Sequence, residues 1–275
     1  MSENLPTIIS AEEQEIIDLA KRNKRFERDE LVIPFLKILQ PLSPIVQEGE
    51  ANVPGAKPGM LYNTSSEQLH DGKTGIVCCV VGHQKSVTEW IPRAAGGGFV
   101  RDWGVDDAWK ASCEPNQRDA YQPVTKSGNN ILKSRLFYLF QIDTETGEYD
   151  PSVISMPNTF AKVASRWATM LNNERTRLSN GTLAFVPHYF YTYRLTTELK
   201  KNNKGVWYVP RVTKNADETG NGIKLKDLKN GPHLWEAAKQ FQESLNEGAV
   251  RVDDQDNEGF YGNGDNEDKE DNIPF

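Results

Sequence analysis

The sequence predicts an α+β protein that is built mainly on an antiparallel sheet, with flanking helices and a disordered acidic C-terminal tail. Three observations predict this class. Short apolar runs cut by Pro and Gly between residues 33 and 91 are typical of strands and turns. Apolar residues spaced by three and four over residues 158–175 indicate a helix. Beyond residue 247 the composition changes to Asp, Glu, Asn and Gly with few apolar residues, which is typical of disorder.

The first half of the chain begins with an expected helix over residues 10–26. Ser10 suits its N-cap, and Glu12 and Glu13 suit the positive end of the helix dipole. The polar stretch 101–130 is expected to be a long loop, and such loops are often functional. The strands expected around it are 34–39, 60–63, 75–81, 87–91, 135–142 and 149–156.

The second half begins with the helix over residues 158–175. Two long strands over 183–197 and 205–213 should then form a hairpin through a polar turn, and a final helix over 232–245 is apolar on one side. We therefore divide the chain into three parts. They are an N-terminal helix (1–30), a single domain (31–247) and the tail (248–275).

Charge is distributed unevenly along the chain. The formal net charge is −7, and residues 251–275, with nine acidic and two basic residues, account for all of it. Residues 160–240 hold 14 Lys and Arg against 6 Asp and Glu, a local charge of +8. A protein with a pI near 5.3 can therefore still present a basic surface.

The sequence indicates neither a membrane segment nor a catalytic site. It has no run of about 18 apolar residues and no secretory signal, so we expect a cytoplasmic protein. A zinc site would have to combine Cys78, Cys113, His70 and His83, whose spacing matches no common pattern. No GxSxG or HExxH motif is present, so we expect no enzyme, no metal and no other cofactor.

The expected hairpin mixes aromatic and basic residues. Bases offer π faces and phosphates offer charge, so such a mixture suits single-stranded DNA. One face must pack on the core, so about half of the aromatic residues are structural, and the sequence leaves open which face this is. The candidate DNA contacts are Tyr189, Tyr191, Tyr193, Arg194, Trp207 and Arg211 on the strands, with Lys200, Lys201 and Lys204 in the turn.

A second candidate contact region surrounds the glycine run 96–98. Three glycines allow a backbone to approach a phosphate closely, and they equally make an ordinary turn. Neither the glycine spacing nor the Lys-Ser/Thr ending of a P-loop is present. The candidate DNA contacts of this region are Trp90, Arg93, Phe99 and Arg101.

The last five residues are the most specific signal in the chain. They are Asp271, Asn272, Ile273, Pro274 and Phe275. A terminal Phe combines an aromatic ring with a free carboxylate, so a protein partner needs an apolar pocket rimmed by Arg or Lys. Pro274 limits the backbone entropy lost on docking. A random acidic tail that only aids solubility is the alternative, and the terminal Ile-Pro-Phe favours docking instead.

This tip resembles that of bacterial single-stranded DNA-binding proteins, which end in acidic residues followed by Ile, Pro and Phe. Asn272 departs from their usual run of aspartates, which implies weaker partner binding. The resemblance covers only the tail, and phage-encoded proteins that pair a divergent body with such a tail are the most similar group. It implies sequence-independent binding of single-stranded DNA in replication, recombination and repair, in a bacterial or phage-infected cell. It also implies recruitment of replication and repair proteins by the tail, and an elaborated OB-like barrel as the form of the sheet.

Two other functions stay open at this point. A single-strand annealing recombinase would also bind DNA but would form rings or filaments. An interaction protein that only mimics the tail would capture host factors without touching DNA, and the +8 segment argues against it. The sequence leaves the oligomeric state open.

Overall fold

The computed structural model describes residues 32–104, 107–203, 205–248 and 251–252, with all their side chains except those of Arg93 and Arg251. The helix expected over residues 10–26 lies outside these residues, as do Lys204 and the tail beyond residue 252. The proposed division into three parts therefore stays a prediction.

Strands dominate the described residues. In chain order they are β1 (Val32–Ile33), β2 (Leu36–Ile38), β3 (Leu61–Asn63), β4 (Leu69–His70), β5 (Ile76–Trp90), β6 (Phe99–Asp102), β7 (Asn130–Ile142), β8 (Tyr149–Pro157), β9 (Arg175–Arg177), β10 (Leu183–Phe185), β11 (Tyr193–Asn202), β12 (Gly205–Lys214) and β13 (Arg251–Val252). The α-helices of the described part are α1 (Ala161–Asn173) and α2 (Gly231–Asn246). Short 3-10 helices cover Arg93–Ala95, Asp107–Ser112, Pro115–Gln117, Asn158–Phe160 and Leu225–Asp227.

The main sheet has the strand order β12-β11-β5-β7-β8, and β6 pairs with the end of β5. Its neighbours all run antiparallel. A smaller antiparallel sheet has the order β2-β3-β4, β9 and β10 form a separate hairpin, and β1 and β13 pair in parallel. The prediction of an α+β fold with a mainly antiparallel sheet is thus confirmed. Within the described residues β8 and β12 do not pair, so the sheet is open and no closed barrel forms.

Each face of the main sheet is covered by one helix. Strand residues alternate between the two faces, so adjacent cysteines belong to different cores: Cys78 lies on the α1 side and Cys79 on the α2 side. Trp167 of α1 stacks on Phe137, with ring centroids 4.6 Å apart. Phe241 of α2 meets Phe140 on the opposite face, edge to face at 5.4 Å. The apolar stripes of both predicted helices are therefore core.

Strand β5 is one strand where the sequence predicted two, over residues 75–81 and 87–91. The polar residues His83, Gln84 and Lys85 between them are exposed, yet they stay paired with β7. A bulge between Val80 and Gly82 accommodates the change in register. Pairing with β7 maintains β5 through these three residues, where the apolar pattern is interrupted.

The strand expected over residues 183–197 is also wrong as a single element. The chain leaves β10 after Phe185, forms a turn in which the Phe190 N–H donates to the Pro187 carbonyl, and enters β11 only at Tyr193. Pro187 has no N–H to give to a sheet. The Thr192 N–H instead binds the distant Ile223 carbonyl. The expected hairpin is thus formed by β11 and β12 alone.

The polar stretch 101–130 has little regular structure, as expected of a loop, but it has a small core of its own. Trp109 and Cys113 are buried there against Val87 and Ile131. No helix of the described residues combines the length and the apolar character that crossing a membrane requires.

Candidate nucleic-acid interface

Four aromatic rings on one part of the surface each have a cation over them. We call these eight residues the basic–aromatic stripe. The pairs, with the distance from the cation to the ring centroid, are Arg175 and Phe185 at 4.3 Å, Lys214 and Tyr191 at 4.0 Å, Lys224 and Phe190 at 5.9 Å, and Lys226 and Trp235 at 4.2 Å. All eight come from the +8 segment of the sequence.

The four pairs touch one another and form a continuous surface. The ring centroid of Phe190 is 4.8 Å from that of Tyr191 and 5.9 Å from that of Trp235. The Tyr191 hydroxyl donates to the backbone carbonyl of Arg175, 3.4 Å away. This bond joins the Tyr191 ring to the β9–β10 hairpin. A strand of nucleic acid that followed this surface would meet rings and cations in alternation.

The β9–β10 hairpin presents the most exposed end of the stripe. Its register places Arg175 opposite Phe185 and Arg177 opposite Leu183, so all four side chains share one face. Phe185 is 67% exposed and Leu183 is 56% exposed. An exposed ring beside the Arg175 guanidinium group is available to a ligand without any rearrangement of the core.

The central part of the stripe is held by hydrogen bonds that are distant in sequence. The buried Thr192 hydroxyl donates to the Ile223 carbonyl and accepts from the Asn215 amide. Tyr191 and Lys224 are paired across an isolated β-bridge. These contacts place Phe190 and Tyr191 beside Lys224, which a linear sequence separates by more than 30 residues.

The β11–β12 hairpin has a core face and an outer face. Tyr193, Leu195 and Val212 pack in the core on the α1 side, which answers the question that the sequence left open. The register places Lys200 opposite Trp207, and Arg211 opposite Thr196, on the other face. Lys200 and Arg211 are exposed there and Trp207 is half-buried. Lys201 is exposed on the core-side face of the hairpin, beyond the core itself.

Three of the predicted DNA contacts belong to the core instead of the surface. Tyr193 is 0% exposed, Trp90 2% and Tyr189 5%. Tyr189 packs edge to face on Trp235, and Trp90 on Phe99. A buried ring offers no face to a base, so the expectation that these residues stack on DNA is corrected. For Tyr189 the prediction assumed one continuous strand over residues 183–197, and the break after Phe185 removes the alternation of that strand.

Arg194 lies apart from the stripe, in a cleft of about 910 Å³ at the end of the main sheet. Its guanidinium donates to the Thr74 carbonyl, 3.1 Å away. Four carboxylates line the same cleft, those of Asp143, Glu145, Glu148 and Asp150. Their negative charge would repel a phosphate backbone, so the geometry does not join Arg194 to a nucleic-acid surface.

The region around the glycine run is less basic than the sequence suggested. Arg101 lies 3.5 Å from the carboxylate of the buried Glu89, which also accepts from Trp103 and Asn129. Arg101 is therefore already paired with an acid. Phe99 is half-buried against Trp90. The side chain of Arg93 is not among those that the structure describes.

The three cysteines are buried free thiols. Burial raises the pKa of both Cys78 and Cys79, so these thiols stay protonated and are poor metal ligands. In the part of the chain that the structure describes, no three His, Cys, Asp or Glu residues are close enough together to hold a metal ion.

The sequence missed seven of the eight stripe residues as site residues: Arg175, Phe185, Phe190, Lys214, Lys224, Lys226 and Trp235. The signal that pointed to them was the local charge of residues 160–240, which contains them all. The residue pattern within any one β-strand could not select them, since they come from β9, β10, β12, α2 and the loops between these elements.

Comparison with known proteins gives the family. The model of the Pam3 phage gp34-like protein family matches residues 9–251. The chain belongs to the Pam3 phage gp34-like family. The resemblance of the tail implied a phage protein, and membership of the gp34-like family confirms that the chain is one. The chain matches no curated protein and no solved structure.

Proposed function

We propose that this gp34-like protein binds single-stranded DNA without sequence preference, through the basic–aromatic stripe. The observation that carries the proposal is a cation over each of four rings, three of which contact one another, while a hydrogen bond from Tyr191 to Arg175 joins the fourth pair to them. Each base has a π face, whatever its identity, so stacking on Phe185 or Tyr191 requires no particular sequence. Lys224, Lys226 and Arg175 supply the charge that phosphates need.

Single strands suit this surface better than duplexes do. In a duplex the faces of the bases are stacked on one another and are unavailable to protein rings. The outer face of the β11–β12 hairpin offers a second group of contacts of the same type in Trp207 and Arg211, whereas Lys200 on that face is paired with Glu198 at 2.7 Å.

The C-terminal residues Asp271 to Phe275 give the proposal its second half, which is recruitment of replication and repair proteins. This part is supported by the sequence alone. An aromatic ring and a carboxylate on one terminal residue form a compact ligand for an apolar pocket rimmed by cations.

The stripe is tested by the change Phe185→Ala. Loss of one stacked base should weaken binding of fluorescent oligo-dT by about 1–3 kcal/mol, or roughly 5- to 150-fold, because the ring is exposed and its loss removes a stacking platform. The melting temperature should not change, since Phe185 is 67% exposed. Tyr121→Ala is the matched control, because Tyr121 is also exposed and lies outside the +8 segment. Equal affinities for the two well-folded variants would remove the stripe from the proposal.

The tail is tested by deletion of Phe275 alone. The deletion should abolish capture of host replication and repair proteins in a pull-down, because the ring and the carboxylate act as one ligand. Affinity for oligo-dT should change little, since the acidic residues of the tail remain. Retention of the same partners by the shortened chain would refute docking through Phe275 and would favour a tail that only aids solubility.

A further inference from the structure

A cleft of about 610 Å³ opens beside the stripe, between α1 and the end of β12. Lys214 belongs to both, since its ammonium group also lies over the ring of Tyr191. The residues that line the cleft are Arg166, Thr169, Met170, Asn173, Glu174 and Lys214. A strand whose base stacks on Tyr191 would therefore have its backbone within reach of the cleft.

Glu174 is held in place at one wall of this cleft. It is the residue that follows α1, where its N–H donates to the Leu171 carbonyl. Its carboxylate accepts from the Tyr193 hydroxyl at 3.3 Å and from the Lys214 ammonium at 2.5 Å. The side chain of Glu174 is only 12% exposed, whereas that of Lys214 is 33% exposed. Burial, together with the Glu174 carboxylate, raises the pKa of Tyr193, so the hydroxyl stays protonated and continues to donate.

Lys214 is thus divided between two partners, the Tyr191 ring and the Glu174 carboxylate. The carboxylate neutralises most of its charge, because the two groups form a partly buried ion pair. Arg166 differs from it, since it is exposed and has no ion pair in the part of the chain that the structure describes. The cleft therefore has two cations for one carboxylate.

This arrangement fits a phosphodiester group. Arg166 of α1 and Lys214 of β12 both line the cleft, two cations can contact one phosphate, and Thr169 and Asn173 add polar groups. Met170 supplies an apolar surface for a sugar. A neutral or cationic ligand would leave Arg166 without a partner of opposite charge.

We propose that this cleft is a phosphate subsite for the single strand, and that Glu174 competes there with the phosphate for Lys214. The inference rests on the proposed function and deepens it. In the free protein Glu174 holds Lys214 in position over Tyr191. When the strand binds, the phosphate takes Lys214 as a partner and adds Arg166, while the fixed Glu174 carboxylate lowers the affinity. Glu174 is thus a positioning residue that sets the strength of binding.

Two variants test the subsite through the salt dependence of oligo-dT binding. For single strands each phosphate contact contributes about 0.7 to the slope of log affinity against log salt. Arg166→Gln should weaken binding and make the slope shallower by about 0.7, because one contact is lost. Glu174→Gln should tighten binding about fivefold at about 0.1 M salt and make the slope steeper by a similar amount, because the Glu174 carboxylate no longer offsets the charge of Lys214. The amide can still accept from Tyr193, so folding should be retained.

Asp107→Asn is the matched control for Glu174→Gln. It removes the same charge from another ion pair, since Asp107 lies 2.8 Å from Lys110 in the short helix over Asp107–Ser112. This control should leave affinity and slope close to those of the natural chain.

The outcomes separate the two proposals. If the natural chain fails to bind oligo-dT, the proposed function and the subsite both fall. If it binds, and Arg166→Gln and Glu174→Gln behave like Asp107→Asn, the subsite alone is refuted. Should Glu174→Gln melt at a lower temperature, Arg166→Gln decides, and an unchanged slope for that variant overturns the subsite.

Discussion

Trp207 and Tyr193 lie on opposite faces of the β11–β12 hairpin, and they differ in burial and therefore in role. Tyr193 has no exposed surface, and its ring packs edge to face on Trp167 of α1, with centroids 6.0 Å apart. Trp207 is half-buried on the outer face, opposite Lys200. The first ring therefore contributes to the free energy of unfolding, and the second is available to a base.

This difference leads to a paired prediction. Tyr193→Ala should lower the free energy of unfolding by about 3–5 kcal/mol, as expected for the loss of a large buried ring. Trp207→Ala should have a small effect on unfolding and should weaken oligo-dT binding by about 1–3 kcal/mol. Urea denaturation and fluorescence titration of both variants measure the two quantities. Loss of affinity without loss of stability in Tyr193→Ala would contradict the assignment.

At the scale of elements, the free edge of the main sheet is protected along β12. The Gln40 amide donates to the Tyr208 carbonyl and its oxygen accepts from the Tyr208 N–H, so one side chain takes the place of a neighbouring strand. Pro210, two residues on, has no N–H to offer. These two features disfavour backbone pairing of the β12 edge with a strand of another chain. A ligand of the β11–β12 hairpin would therefore contact its side chains.

Helices and strands were predictable where local pattern and burial agree. The spacing over residues 158–175 predicted α1 because its apolar residues face a sheet, and the same holds for α2. The pattern failed at residues 183–197, since Pro187 and the bond from Thr192 to Ile223 interrupt a run that looks continuous. Propensity describes neighbours in the chain, whereas these bonds join distant segments.

The candidate site was predictable as a region but not as a set of residues. The local charge of +8 over residues 160–240 selected the segment that contains the stripe. Only the fold brings Lys224 beside Tyr191, and Trp235 beside Phe190, because three separate elements meet there. The same fold buries Tyr189, which the sequence had assigned to the surface.

For the whole molecule, the separation of charge is the main electrostatic feature. Residues 251–275 carry −7, residues 160–240 carry +8, and the remaining residues together carry −8. Overall charge therefore opposes binding to a polyanion, and only a local surface can favour it. Binding through such a surface depends on direct contacts and is sensitive to screening by salt.

The most direct test of the central claim is a fluorescence titration of the full chain with oligo-dT and with a duplex of matched length, each at several salt concentrations. We expect the single strand to bind more tightly at every concentration. We also expect log affinity to fall linearly with log salt, because phosphate contacts with the stripe release counterions. Equal or tighter binding to the duplex would refute binding of single strands through the stripe, and so would an affinity for oligo-dT that does not change with salt.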